Sequence, residues 1–166
     1  VVFTTSTFRK AMSSYDNFKG DLSRGVTVES KVVAMLQKRY PCAVRIEGKF
    51  KDYDIWIPEL EKGVEVKYDP MSNQTGNIVV EIEMRGVPSA LLTTKAAWWV
   101  FYDDNVFALI KPINIIKCVM LNRLLYSEFT GNGDIHSKKA YLIKKEMLFE
   151  YATRIVDNSG VEKISS

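Results

Sequence analysis

Asp54, Glu65 and Lys67 stand within one short stretch, KDYDIWIPELEKGVEVKYD, running from Lys51 to Asp69. Two acids and an amine at this spacing have the makings of metal-assisted hydrolysis. Carboxylate oxygens hold a hard cation such as magnesium, which keeps several of its waters. The cation lowers the pKa of one water and offsets charge building on a phosphate, and a lysine orients that water or steadies the developing negative charge. The same residue types also make an ordinary cross-strand ion-pair cluster, worth little to stability. What separates the two is how the chain positions them.

Tyr53 to Ile57 and Val64 to Tyr68 are short apolar-rich runs, and Pro58 to Gly63 between them suits a turn. The expectation is a hairpin. Side chains alternate along strands, so Tyr53, Ile55 and Ile57 share one face and Val64, Val66 and Tyr68 share its counterpart. Pairing that keeps the apolar faces together puts Asp54, Glu65 and Lys67 on one side, because a one-residue slip would drive charge into the core.

Upstream, SRGVTVESKVVAMLQKRYP reads as a helix, capped at Thr27, with Val28, Val32, Met35 and Leu36 as its apolar stripe and Glu29 in its first turn. A helix glutamate, then Asp54 on one strand, then Glu65-Val66-Lys67 on the next, resembles the PD-(D/E)XK nuclease superfamily. The Arg-Gly, helix glutamate, aspartate and Glu-Val-Lys pattern of archaeal-type Holliday junction resolvases is matched by Arg24-Gly25, Glu29, Asp54 and Glu65-Val66-Lys67. The segment EVKYD, followed by TGNIVVEIEMRGVPSALLTTKAAWWVFY, is similar to small nuclease-like proteins of phages. Tyr53 stands where the name-giving proline would be. The likeness spans Arg24 to Tyr102.

This resemblance implies a restriction-endonuclease-like core and magnesium- or manganese-dependent cleavage of DNA, with a structure-selective, resolvase-like preference. It casts Asp54 and Glu65 as metal ligands, the Val66 carbonyl as an added ligand, and Lys67 as the group that positions water. Glu29 is either a metal partner or only a favourable charge on the helix dipole. Glu81 is either a further acid beside the metal or a solvated strand residue. Lys95 is the expected second cation, with Thr93 and Thr94 beside it to grip phosphate. Arg24, Ser72, Lys138 and Lys139 complete the expected DNA contacts. Nucleases of this kind commonly act as homodimers. The alternative, from another class, is a catalytically silent nuclease-fold module that binds DNA or protein.

Composition bounds these readings without choosing among them. The chain has 166 residues, 46% of them hydrophobic and 26% charged, as in ordinary globular domains. A formal charge of +3 carries no strong nucleic-acid signature, although acidic ligands would subtract from a basic rim. Cys42 and Cys118 match no zinc or CxxC spacing and read as buried free thiols. No run is long enough to span a membrane, and VVFTTSTFRKAMSS lacks the order of a signal peptide. The expected location is cytoplasmic, in the host cell if the chain is phage-encoded.

Along the rest of the chain, Phe8 to Phe18 reads as an amphipathic helix able to serve a dimer contact, and Cys42 to Glu47 as a strand with Cys42, Val44 and Ile46 inward. Asp69 to Asn77 reads as a surface loop and Ile78 to Met84 as a strand. Ser89 to Lys95 reads as a short helix or loop. A hairpin brackets Asp103-Asp104-Asn105. Pro112 to Tyr126 is expected as a helix on a stripe of Ile116, Val119, Met120 and Leu124. A final helix should carry Lys138, Lys139, Lys144 and Lys145 on its edge, with Met147, Leu148, Tyr151 and Ile155 buried. The whole is expected as one α/β domain with a mixed, mainly antiparallel central sheet flanked by helices, its core at about residues 24–110 and its closing helices at 112–156.

Overall fold

The computed structural model describes residues 27–49, 51–130 and 135–163; the expected helix at 8–18 and Arg24 lie outside them. The fold is mixed α/β, with two sheets and few helices. A helix over residues 27–37 (α1) leads into β1 (Val44–Arg45), β2 (Ile55–Ile57) and β3 (Lys62–Tyr68). The chain then makes α2 (Ser72–Thr75), β4 (Asn77–Met84), β5 (Val87–Pro88) and a 3-10 turn at Ala90–Leu92. Strands β6 (Trp98–Tyr102) and β7 (Val106–Ile110), α3 (Pro112–Leu121), β8 (Tyr126–Phe129) and β9 (Lys138–Lys144) follow. Last come α4 (Lys145–Phe149), β10 (Arg154–Asp157) and β11 (Glu162–Lys163).

The larger sheet has the order β1-β2-β3-β6-β7-β10-β11, and β3 and β6 are its parallel pair. Both faces of its centre are buried. Val28, Val32, Met35 and Leu36 of α1 cover the face formed by Ile55, Ile57, Val64, Val100, Tyr102 and Leu109. Each such side chain taken fully out of water contributes about 1.5–3 kcal/mol, so α1 is anchored by its stripe far more than by helix propensity. Trp99, Phe101, Ala108 and Ile110 point the other way, into a second cluster with Ile115, Cys118 and Val119 of α3.

That second cluster also holds Ile78, Val80, Ile82 and Ile143, which belong to a separate four-stranded antiparallel sheet, β5-β4-β9-β8. The sequence reading had no second sheet and placed helices over 112–156. Among the described residues of that span only α3 and α4 are α-helices; β8, β9 and β10 are strands, and β10 pairs with β7 in the larger sheet. A bulge between Glu81 and Glu83 sets two residues of β4 against one step of β9. On β9, Ala140 and Ile143 are buried three residues apart, which mimics helical spacing.

Other expectations shift by a residue or a face. In β1, Ala43 is buried while Val44 is 48% exposed and Cys42 is exposed, so the inward parity is opposite to the one expected and only Cys118 is a buried thiol. In α3 the buried stripe is Ile115, Cys118 and Val119, with Met120 turned outward. The run is apolar almost all round, so tertiary packing selects its face. No helix of the described residues is long and apolar enough to cross a membrane.

Candidate functional site

The hairpin forms with the expected parity: Ile55 pairs with Val64 and Ile57 with Lys62. On the β1 side the ladder continues, Ile46 N–H donating to the Asp54 carbonyl at 2.8 Å. On the β3 side Asp54 N–H donates to the Val64 carbonyl at 3.0 Å, one residue out of step with the Ile55–Val64 pairing, so Asp54 and Ile55 both face Val64. Parallel pairing of Glu65 with Trp99 and of Lys67 with Phe101 puts Glu65 and Lys67 on the face away from α1.

At Asp54 the chain turns off the sheet, and the carboxylate takes over the hydrogen bond that the missing backbone would have made. Its Oδ2 accepts from Val66 N–H at 2.7 Å. A strand residue's N–H and C=O point to the same edge, so the Val66 carbonyl faces this same side, beyond the last rung of β2. Turning off also carries Tyr53 away from Ile55. Its ring lies 5.6 Å from that of Trp56 and covers Gly63, where an added Cβ would stand 2.0 Å from Tyr53 Cδ1. Gly63 is therefore a strand residue that makes room for the ring, and the turn is made by residues before it, with Glu61 at φ +50°.

Lys67 Nζ sits 2.7 Å from Glu65 Oε1 and 4.7 Å from the centre of the Trp99 ring. Thr94 fixes that indole: its Oγ1 accepts from Trp99 Nε1–H at 3.1 Å and from Ala96 N–H at 3.2 Å. With both lone pairs engaged, what the hydroxyl has left to offer is its proton. Lys51, Asp52, Glu65, Thr93, Thr94, Lys95 and Trp99 line an open cavity of ≈ 240 Å³. Lys95 closes one side of it through Asp52, at 3.0 Å.

Lys51 is the residue that sequence reasoning missed. Its ammonium lies 3.0 Å from Asp54 Oδ1, 3.0 Å from Glu29 Oε1 and 3.3 Å from the Ile46 carbonyl. An ammonium has three donors, so all three are used. Burial opposes its charge, but the bonds to Asp54 and Glu29 more than offset this and raise its pKa. Glu29 is also bridged by Arg45, at 3.4 Å, so this helix glutamate reaches Asp54 only through Lys51. No local pattern flags Lys51: it depends on contact with Glu29 of a helix far upstream.

The remaining expected residues sit elsewhere. Ser72 is 2% exposed, and its hydroxyl donates inward to the Asp69 carbonyl, so it is a turn residue without access to DNA. Lys138 and Lys139 lie on β9, paired with Glu81 at 3.8 Å and Glu83 at 2.8 Å. Glu81 accepts from Ser89 Oγ at 2.6 Å, which ties β4 to the turn that carries Thr93 and Thr94. None of these lines the cavity.

Among the described residues, no three His, Cys, Asp or Glu side chains form a metal-holding group. A divalent ion at Asp54 would rest on Asp54, Glu65, the Val66 carbonyl and water. Such a set of hard oxygen donors, with one or two carboxylates and retained waters, fits magnesium or manganese. Comparison with family models, with curated proteins and with solved structures finds no match to this chain.

Proposed function

We propose that the chain is a magnesium- or manganese-dependent DNA endonuclease of the PD-(D/E)XK kind, built on a restriction-endonuclease-like core. The observation that carries the reading is the end of the β2–β3 hairpin. There Asp54 holds the Val66 peptide, Glu65 is the neighbouring residue on β3, and Lys67 bonds to Glu65 beside a cavity rimmed by hydroxyls and lysines. The antiparallel run β1-β2-β3 leading to a parallel β6, with α1 on one face, supports the finer fold reading.

A divalent ion bound here would lower the pKa of a water and offset charge on the phosphate; Asp54, Glu65 and the Val66 carbonyl would hold it. Lys67 orients the attacking water, whose oxygen bonds to phosphorus as the bond to the leaving oxygen breaks. Thr93, Thr94 and Lys95 hold the flanking phosphate. DNA as substrate, a homodimeric enzyme, structure-selective cutting and a cytoplasmic location belong to the same proposal.

A plasmid nicking assay tests it. Wild type cuts only with magnesium or manganese, and Asp54→Ala cuts more than about 100-fold more slowly. A binding module without catalysis is the second reading, favoured by the Lys51 ammonium that already engages Glu29 and Asp54. Binding without cleavage of plasmid, single-stranded and four-way-junction DNA would select it.

A further inference from the structure

Glu29 and Asp54 come from elements far apart in sequence, and Lys51 joins them. Its side chain is 20% exposed, and theirs are 17% and 15%. Two carboxylates brought this close repel each other unless a cation lies between them, and among the described residues the cation that bridges both is this ammonium. Lys51 also lines the cavity together with Glu65, the other acid proposed to hold the metal. A divalent ion coordinated by Asp54 would lie within a few ångströms of the ammonium, and the two positive charges repel. Both cannot keep their present partners.

We infer that Lys51 is the resident counter-ion of the Glu29–Asp54 pair, and that a divalent cation entering at Asp54 displaces it into the adjoining cavity. The inference rests on the proposed metal site and adds how that site is held when no ion is bound. Lys51 acts as a positioning residue: it keeps Asp54 aimed at Val66 and joins α1 to the hairpin. Ion entry exchanges this contact for metal coordination. The released ammonium remains on the wall that Thr94 and Lys95 share, where a phosphate would meet it. Ion binding is thereby coupled to movement of Lys51.

Two measurements on the full chain decide the matter. The first is Mn²⁺ affinity by titration calorimetry for wild type, Lys51→Met, Lys95→Met and Asp54→Asn. Removing the competing ammonium should tighten Mn²⁺ binding about tenfold, within the usual range of coupling between sites. Lys95→Met, which removes a charge already paired with Asp52 from the same cavity, should change it less than about twofold. The second is acylation of Lys51 in wild type by an amine-reactive ester, read by mass spectrometry: slow without metal and at least about fivefold faster at saturating Mn²⁺.

Unchanged or weaker Mn²⁺ binding by Lys51→Met overturns the inference, as does equal labelling of Lys51 with and without Mn²⁺. The labelling arm stands even if Lys51→Met does not fold. If wild type shows no Mn²⁺ binding that Asp54→Asn abolishes, the metal site and this inference fall together. If that binding is present and Lys51 does not respond, the inference fails and the metal site survives.

Discussion

Gly63→Ala separates packing from backbone preference at the hairpin that carries Asp54. In a strand, alanine is otherwise favoured over glycine by roughly 0.5–1 kcal/mol, so on propensity alone the substitution stabilises. The Tyr53 ring reverses the sign. The new methyl would stand 2.0, 2.2 and 2.5 Å from Tyr53 Cδ1, Cγ and Cε1, against the ~3.5 Å at which carbon atoms meet comfortably. The ring must retreat by roughly 1.5 Å, and Cγ sits too near the side chain's root for a simple swing of the tip. Overpacking of this kind costs about 1–3 kcal/mol, which in a chain of this size lowers Tm by about 2–4 °C for each kcal/mol. Urea denaturation of wild type, Gly63→Ala, Tyr53→Ala and the double variant reads the coupling directly. Gly63→Ala should destabilise wild type yet be neutral or stabilising in the Tyr53→Ala background, a coupling of at least about 1 kcal/mol. Additive effects, or a stabilising Gly63→Ala in wild type, would refute the role given to the ring.

Two further outcomes are expected elsewhere in the molecule. Asp103 is buried, which pushes its pKa up, but Lys145 and the amides of Val106 and Asn105 more than offset this and hold it below 3.8. A lowered folded pKa gives stability that is present above 3.8 and lost as pH falls through the folded value. Asp103→Asn should cost about 3 kcal/mol at pH 7 and flatten the acid limb of the stability profile, measured by thermal melts from pH 7 to 2. Asp69 works in the opposite sense, since burial raises its pKa. Thiol titration of the native protein should detect Cys42 and not Cys118, which is fully buried. Cys42 should react slowly, because the hydrogen bond and charge of Glu59 raise its pKa; two fast thiols would contradict the packing around α3.

The parts of this fold readable in advance are those where local chemistry and tertiary context agree. The β2–β3 register, Ile55 with Val64 and Ile57 with Lys62, follows from apolar residues that must share a face. The turn at Asp103-Asp104-Asn105 follows from residues that tolerate it: Asp103 Oδ1 accepts from the amides of Asn105 and Val106, and Asp104 adopts φ +74°. The strands β8 to β10 were hidden because the buried residues of β9, Ala140 and Ile143, are spaced like those of a helix, and because the partner of β9, β4, lies some sixty residues upstream. Lys51 was hidden for a related reason. Its significance lies in the meeting of a loop with α1, and neither segment alone encodes it. Ser72 was misjudged because a polar residue in a turn-rich loop looks solvated, whereas its hydroxyl and amide both bond back to Asp69.

The smaller sheet is stitched from two excursions, β4–β5 leaving between β3 and β6, and β8–β9 leaving between α3 and β10. During synthesis, the first excursion emerges from the ribosome long before its partner exists. Until β9 arrives, Ile78, Val80 and Ile82 lack Ile143 beside them, and β4 presents an unpaired edge of the kind that recruits other strands. Chaperone dependence should therefore be concentrated in that interval, and a truncation after β7 should yield insoluble material instead of a smaller working unit.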